Sequence, residues 1–587
     1  MELALFGIVG IVTIVVAGVF SKKLGVASPL ILIVIGVAFS YIPGAPTVVP
    51  HEIILLGLLP PILYSAAINV PIIDFRRNLG TITALSVVLV VVTAFVTGYI
   101  LYLVFPDLSL AGGIAIGAVI SPTDAVAATA LGKRLGLPPR LVTILEGEGL
   151  VNDATALVLL RSAIAAVSAA VSFWGVVGDF VYAVALAALI GFVIGYLTVF
   201  VRTKLKDPML DTAISFAVPF IAFIPAEHFG ASGVIAVVVA GLYSGHKSAK
   251  SFSAQARISE KLNWRTVQFV LENGVFLLMG IQISTVINEV EADALSAPQA
   301  VLLGLEMTAL VIVIRFLFVA PLLILLRRRA ASAEVKQTRF REMLDRVRRR
   351  VEGAGGATAL PDHFAKRQER AERIYVRRES DLVQLRAEGF GWRGGLVLGW
   401  SGMRGVVTLA AAQSLPNDGS IPYRPQLVLI AFTVAVTTLL LQGGTLPWLI
   451  RATGIRGSDR AADRRELATL LDEMSAAGIA VLESPQFALP DGEEIQDTVI
   501  ERVRNDTLLG AESAWERAQH GSGIDGLVHS PQRQYRALRR EVLQAEREAL
   551  LEARASGTYP SRILSRAQTM LDLEETRLEQ IDNPSGA

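Results

Sequence analysis

Cysteine is absent from this 587-residue chain, which excludes disulfides, thiol catalysis and cysteine–metal centres. Charge is scarce as well. Asp, Glu, Lys and Arg make up 18% of residues, against about 25% in a soluble globular chain. The net charge of +1 leaves no electrostatic footprint for nucleic acid. There is no Gly-x-x-x-x-Gly-Lys-Ser/Thr loop to cradle nucleotide phosphates, so an ATP-driven cycle is not expected. The opening Met1-Glu2-Leu3 lacks the basic region of a signal peptide, and the first apolar run reads as a retained helix.

What the chain has instead is apolar length. Hydrophobic residues make up 52% of it, and mean hydropathy is +0.52. Runs such as Ile82 to Val104 and Phe180 to Val201 reach the roughly 20 apolar residues that span a bilayer as a helix. The expected fold is therefore an all-α polytopic membrane protein with about thirteen transmembrane helices. The expected spans are 4–20, 29–43, 51–70, 80–105, 111–132, 141–171, 175–201, 209–228, 232–246, 264–287, 298–326, 393–414 and 425–450.

Alternate connections between these spans carry Lys22 and Lys23; Arg76 and Arg77; Lys133, Arg134 and Arg140; Arg202, Lys204 and Lys206; Lys247 and Lys250; Arg327 to Arg329; and Arg451. The intervening connections are almost free of Lys and Arg, with Arg424 the exception. The positive-inside rule then places the N-terminus outside and the C-terminus in the cytoplasm. The expected division is a transmembrane domain of 1–326 and 391–450, a charged cytoplasmic connection of 327–390, and a helical cytoplasmic tail of 451–587. Within the connection, Arg339 to Arg350 and Lys366 to Arg386 read as charged helices split by Gly353-Ala354-Gly355-Gly356. In the tail, Gln532 to Ala555 reads as an amphipathic helix.

Acidic groups in hydrocarbon are expensive and mark ion or proton pathways. The span 141–171 holds Glu146, Glu148, Asn152 and Asp153. Asp153 lies about 18 Å into the helix, near mid-membrane. Helical spacing puts Glu146, Gly149 and Asp153 on one face and Glu148 and Asn152 on its neighbour. A carboxyl at that depth is stable either protonated or beside a cation, and a group that binds one or the other is the minimal device for exchange. In the span 111–132, Ser121-Pro122-Thr123-Asp124-Ala125-Val126 carries a proline that interrupts the helix. The break exposes a carbonyl or hydroxyl of Thr123 to an ion, and Asp124 balances the positive end of a half-helix. The glycine-dense span Gly391 to Gln413, with Gly402-Met403-Arg404-Gly405, is a second candidate break, where Arg404 would cap a half-helix C-terminus. Two interrupted spans in corresponding positions indicate inverted repeats, with the binding site where the two discontinuous helices cross.

Arg315 is a lone cation in an apolar run and needs a partner. Glu148 is the first choice, Arg404 its competitor for that carboxylate. Glu227-His228, Glu272-Asn273 and Glu306 read as helix–helix contacts, and Asp74 and Asp207 as helix-end residues.

Together these motifs resemble the monovalent cation:proton antiporter superfamily, in its sodium/proton exchanger branch with an Asn-Asp pair. The elements that carry the resemblance are Leu145-Glu146-Gly147-Glu148-x-Leu150-x-Asn152-Asp153, the 121–126 and 402–405 segments, and Leu59-Pro60-Pro61-Ile62-Leu63. It covers about 1–450 apart from the 327–390 connection. It implies a plasma-membrane secondary transporter, not an enzyme, working as a homodimer in membrane lipid by an elevator motion. It requires no cofactor, because the carried Na+, Li+ or K+ is substrate. It implies Asp153 as the ion and proton carboxylate, Asn152 as its support, Thr123 as a Na+ ligand beside Asp153, and Asp124 and Arg404 as charge balance. Glu148 and Arg315 would form a structural pair, with Glu146 on the cytoplasmic approach. Asn-Asp in place of Asp-Asp implies electroneutral exchange, serving pH and sodium homeostasis.

Two positions depart from the family pattern. Gly149 stands where relatives have Ser. Tyr64-Ser65-Ala66-Ala67 stands where they often carry an acid, which makes Ser65 a candidate extra ligand. An alternative of another class is an ion-binding membrane sensor that signals through the tail, whose partner the sequence does not reveal.

Overall fold

The computed structural model describes residues 2–24, 28–42, 50, 52–124, 128–129, 132–133, 135–168, 173–205, 207–290, 295–353, 391–416, 419–455 and 460–482, with isolated positions of the remaining tail. Among these residues every regular element is a helix. An apolar solvent leaves backbone N–H and C=O groups no partner, and a helix satisfies them within one segment.

The elements run in order: α1 (Glu2–Leu24), α2 (Ser28–Ser40), α3 (Leu59–Asn69), α4 (Ile72–Thr83), α5 (Leu89–Val104), α6 (Leu110–Ile120), α7 (Pro139–Ser168), α8 (Phe173–Arg202), α9 (Pro208–His228), α10 (Gly233–Ser251), α11 (Ala254–Ile281), α12 (Ile283–Asn288), α13 (Ala297–Gly353), α14 (Trp392–Trp400), α15 (Val406–Gln413), α16 (Arg424–Thr438) and α17 (Gly444–Thr453). Seven continuous helical stretches among the described residues are long and apolar enough to cross a membrane: 72–104, 139–167, 177–202, 208–228, 255–288, 297–328 and 424–453. Shorter apolar helices cover 7–21, 28–40, 53–69 and 110–120.

Two prolines account for irregular turns. Wide π-helical turns at Ile53–Leu58 and Leu439–Gly443 lead into α3 and α17. Pro60 and Pro447 follow them, where a proline ring would clash with the carbonyl four residues back. The wider turn absorbs that clash without ending the helix.

One expectation needs correction. The span expected to stop at residue 326 continues unbroken as α13 to Gly353. The Arg339 to Arg350 run is thus the same helix, not a separate one. Nothing between Leu326 and Gly353 breaks the backbone ladder, and a helix leaving the bilayer needs no lipid to keep its own hydrogen bonds. The expected helix Lys366 to Arg386 lies outside the described residues.

Most buried apolar side chains form two clusters. The first joins α2, α5, α6, α13 and α14 to α17 with part of α7 and α11. The second joins α3, α9 and α10 with Leu150 and Ala154 of α7, Ala187 of α8 and Trp264 of α11. The helix carrying Asp153 therefore faces both. Helix α6 sits backbone-to-backbone on α5: a Cβ at Gly117 would lie 2.1 Å from the Ala94 carbonyl oxygen, and one at Gly113 would lie 2.3 Å from that of Gly98. Small residues permit this approach, and dispersion between the two backbones holds it without any hydrophobic drive from lipid.

Residues 458–587 form a separate compact unit. It contains α18 (Arg460–Leu482). Arg539 pairs there with Glu574 at 2.7 Å and Glu546 at 3.6 Å. Of the expected helix Gln532 to Ala555, the described positions 539, 542–546 and 548 are helical.

Candidate functional site

Helix α6 stops at Ile120, and Ser121 to Asp124 are not helical. Pro122 has no N–H to continue the ladder. Ala125 and Val126 of the same motif lie outside the described residues. A second break, Ser401 to Gly405, separates α14 from α15. The two breaks touch: the Asp124 N–H donates to the Met403 carbonyl at 2.7 Å.

Buried backbone groups freed at a break need partners, and several are found here. At the end of α6, the Ser121 hydroxyl donates to Ala118 O at 2.9 Å and Arg404 Nε to Ile120 O at 3.2 Å. Arg404 also donates to Gly402 O, and its own N–H reaches the Thr438 hydroxyl at 3.0 Å. One guanidinium therefore serves carbonyls of both breaks. Gly405 directly precedes α15 and offers no side-chain cap. A Cβ there would lie 2.3 Å from Asp124 Oδ2, so the Asp124 carboxylate stands at the positive end of α15, where helix dipoles favour an acid.

Helix α7 supplies the next layer. Glu148 is 2% exposed and Arg315, on α13, is 1% exposed. Arg315 Nη1 and Nη2 donate to the two Glu148 oxygens at 2.5 and 2.9 Å. Its Nε donates to Leu398 O of α14 at 3.1 Å. The Thr123 hydroxyl donates to Glu148 Oε1 at 2.7 Å. Asn152 Nδ2 donates to the Thr123 carbonyl at 2.7 Å and to its hydroxyl oxygen at 2.9 Å. Thr123 is thus held open in the break by two residues of α7. Its hydroxyl proton is committed, but its two oxygens each keep lone-pair capacity.

Asp153 is different. It is 9% exposed and makes no hydrogen bond or ion pair among the described residues. The neighbouring Asn152 Oδ1 is buried and also unpartnered. Low dielectric penalises a bare carboxylate, so Asp153 needs a proton or a cation. Among the described residues no group of three or more His, Asp or Glu side chains gathers into a metal-binding arrangement.

The remaining predicted residues lie apart. Glu146 pairs with Lys133 at 2.6 Å and is 20% exposed. Ser65 is buried, and its hydroxyl donates to Ile62 O of its own helix at 2.8 Å. No hydrogen bond joins it to Thr123 or Asn152 among the described residues. Glu272 accepts from Gln268 at 2.6 Å, and Asn273 accepts from Ser28 at 2.8 Å. Asp207 caps α9 through the Met209 N–H at 2.8 Å. Glu306 is exposed and has no partner among the described residues, so the helix–helix contact expected of it is not made there. It projects from the outer side of α13, away from the neighbouring helices.

Two basic residues do work that charge counting hid. Arg202, spaced like a loop cation, is 2% exposed. It donates to both Asp211 oxygens at 2.7 Å and to Glu260 at 2.6 Å, with Phe252 stacked 4.1 Å away. Asp211 and Glu260 sit near the starts of α9 and α11, and no local pattern ties them to Arg202. Arg424, the exception in the charge asymmetry, donates to Gln413 O at 2.7 Å and Leu415 O at 2.9 Å. It caps α15, so its charge belongs to a helix end and not to a loop.

The family described as "Sodium/hydrogen exchanger, transmembrane" matches residues 11–452. An uncharacterized Na+/H+ exchanger of Mycobacterium tuberculosis is 28% identical over 588 residues, covering 98% of this chain and 96% of that protein. A sodium, potassium, lithium and rubidium/H+ antiporter of Bacillus pumilus is 28% identical over 435 residues, covering 72% of this chain and 57% of that protein. Among solved structures, the sodium proton antiporter MjNhaP1 of Methanocaldococcus jannaschii at pH 8 superposes with a TM-score of 0.54 at 16% identity, covering 76% of this chain and 98% of that one. At that identity the likeness is one of fold.

Proposed function

The chain belongs to the sodium/hydrogen exchanger family, and on that premise we propose that Asp153 is the carboxylate at which H+ and a monovalent cation compete. The observation that carries this is the contrast within α7. Glu148 is bound on both oxygens by Arg315 and Glu146 is paired with Lys133, whereas Asp153 is buried with no partner of either kind among the described residues. Thr123, held open by Asn152, supplies neutral oxygen ligands for the cation, and Asn152 Oδ1 is a further one. Asp124 and Arg404 balance the half-helix ends.

In this reading the exchange is electroneutral, one H+ for one cation, as the Asn-Asp pair implies for the family it resembles. Asn152 cannot take up a proton and Glu148 is held by Arg315, which supports Asp153 as the group that turns over. The carried ion is Na+ or a close relative. The breadth in the name of the Bacillus pumilus relative supports including Li+ and K+. The two touching breaks are read as crossed discontinuous helices from inverted repeats within a frame of about thirteen crossings. In this reading the protein is a plasma-membrane homodimer with its N-terminus outside and its tail in the cytoplasm. An elevator motion carries the ion site, and exchange serves pH and sodium homeostasis. The 327–390 connection and the tail from 451 are regulatory. The sensor alternative has no support in the family match or the site.

The test is transport in proteoliposomes with Na+, Li+ and K+ across pH, with the membrane potential clamped. Asp153→Asn is expected to abolish cation-dependent proton movement while the protein still folds. Exchange retained in that variant would overturn the assignment. Current accompanying exchange in the parent protein would overturn electroneutrality.

A further inference from the structure

Arg161 lies on α7 about two turns, or roughly 12 Å, beyond Asp153, toward the end that the orientation above places outside. Leu150, Ala154, Leu157 and Arg161 form one stripe of α7 by helical spacing. Leu150 and Ala154 belong to the second core, and Leu157 packs against both cores. At the head of the stripe the Arg161 guanidinium pairs with Glu227.

Glu227 is near the end of α9, whose Val218, Ala222, Phe223 and Ala226 are members of the second core. Its other oxygen accepts from the N–H of Gly233, the first residue of α10, at 2.8 Å. Glu227 thus holds the positive end of α10 with one oxygen and the ion-carrying helix with the other.

Exposure sets this pair apart from the two buried ones. The Arg202 and Arg315 guanidiniums are 0% and 1% exposed, and breaking either contact strands a charge in the protein interior. Arg161 and Glu227 are 54% and 22% exposed, so water can replace either partner at little cost. A contact between the moving helix and its surroundings has to break and re-form every cycle. Of the two exposed ion pairs on α7, Glu146–Lys133 ties it to the segment just before it, whereas Arg161–Glu227 reaches across to α9 and α10.

We propose that Arg161–Glu227 is the external latch of the exchange cycle. Closed, it holds α7 against α9 and α10 and shuts the path along the stripe to Asp153. It opens when Asp153 is presented to the outside. The proposal rests on the antiport reading and its orientation.

The absence of native cysteine makes a direct test available. Leu157→Cys would carry the sole thiol, behind the latch. In sealed right-side-out vesicles, its reaction with a neutral, membrane-impermeant methanethiosulfonate sugar reads external exposure, and a neutral reagent is indifferent to charge at 227. Adding Glu227→Gln keeps an oxygen for the Gly233 N–H but removes the charge. The reaction should speed up about twofold to fivefold, the range set by a partly exposed pair. Arg161→Gln should do the same, and Arg161→Lys should stay near the parent rate. An unchanged or slower rate in both Gln variants would overturn the latch, as would Arg161→Lys reacting as fast as Arg161→Gln. If Leu157→Cys misfolds, Ala154→Cys serves on the same stripe. Labelling does not require transport, so exchange retained in Asp153→Asn would sink the antiport reading while leaving the latch result standing.

Discussion

Replacing Arg315 with Met tests what joins α7, α13 and the second break. Met preserves much of the stem but removes the guanidinium. Glu148, 2% exposed, would keep among the described residues only the Thr123 hydroxyl for a full negative charge. Breaking a buried pair from one side costs about 3–5 kcal/mol. The loss should fall at the upper end, because the Leu398 carbonyl loses its donor as well. Glu148→Gln strands the cation instead and should cost a similar amount. The double variant strands neither charge. A buried pair replaced as a unit is often neutral in stability, so the double variant should be more stable than Arg315→Met alone by about 1 kcal/mol or more. The assay is unfolding of the purified protein in detergent, run as a double-mutant cycle. If the double variant loses the sum of the two singles, the residues are uncoupled and the reasoning fails. It fails equally if Arg315→Met costs less than about 1 kcal/mol, since Glu148 would then not be stranded.

Two further outcomes are expected. A Cβ on Gly402 would lie 2.4 Å from Arg315 Cδ and 2.6 Å from Nε, and that side chain is pinned by Glu148 and Leu398. Gly402→Ala should therefore lower the thermal midpoint clearly, whereas Gly57→Ala, with open space around its Cβ, should not; equal midpoints would refute the close approach. On the loop before α16, the Tyr423 hydroxyl donates to Asp107 at 2.7 Å, and that bond raises its pKa above the ordinary phenol value. The bond's contribution is present below about pH 10 and is lost as pH rises through the raised value. Spectrophotometric titration of Tyr423→Phe against the parent should remove one late-titrating tyrosine; loss of an ordinary one instead would contradict the assignment.

Membrane class, helical fold and family were legible because they depend on local features. Apolar run length needs no tertiary contact to signal a membrane helix. Pro122 and the 402–405 glycines mark breaks because they act on their own backbone. The residue types at the site stood out because carboxylates and guanidiniums are rare at that depth. The wiring was harder to read. Arg404 could be matched to a half-helix end by charge, yet its reach to Ile120 and Gly402 depends on the two breaks touching. Arg202 and Arg424 looked like loop charge and an exception to it, and both are committed to partners brought near by the fold.

By itself the sequence determined a chain of lipid-soluble helices, interrupted at two places and carrying a few costly ionisable groups between them. Those properties follow from solvation and backbone chemistry, which act residue by residue. Only the tertiary structure decided which of those groups are spent on one another. Glu148, Glu146 and Asp153 are the same chemistry on one helix. Packing gives the first a guanidinium from α13, the second an exposed lysine, and the third no hydrogen-bond or ion-pair partner among the described residues. A buried carboxylate without a partner must find a proton or a cation, and that need arises from what the surrounding helices withhold from Asp153.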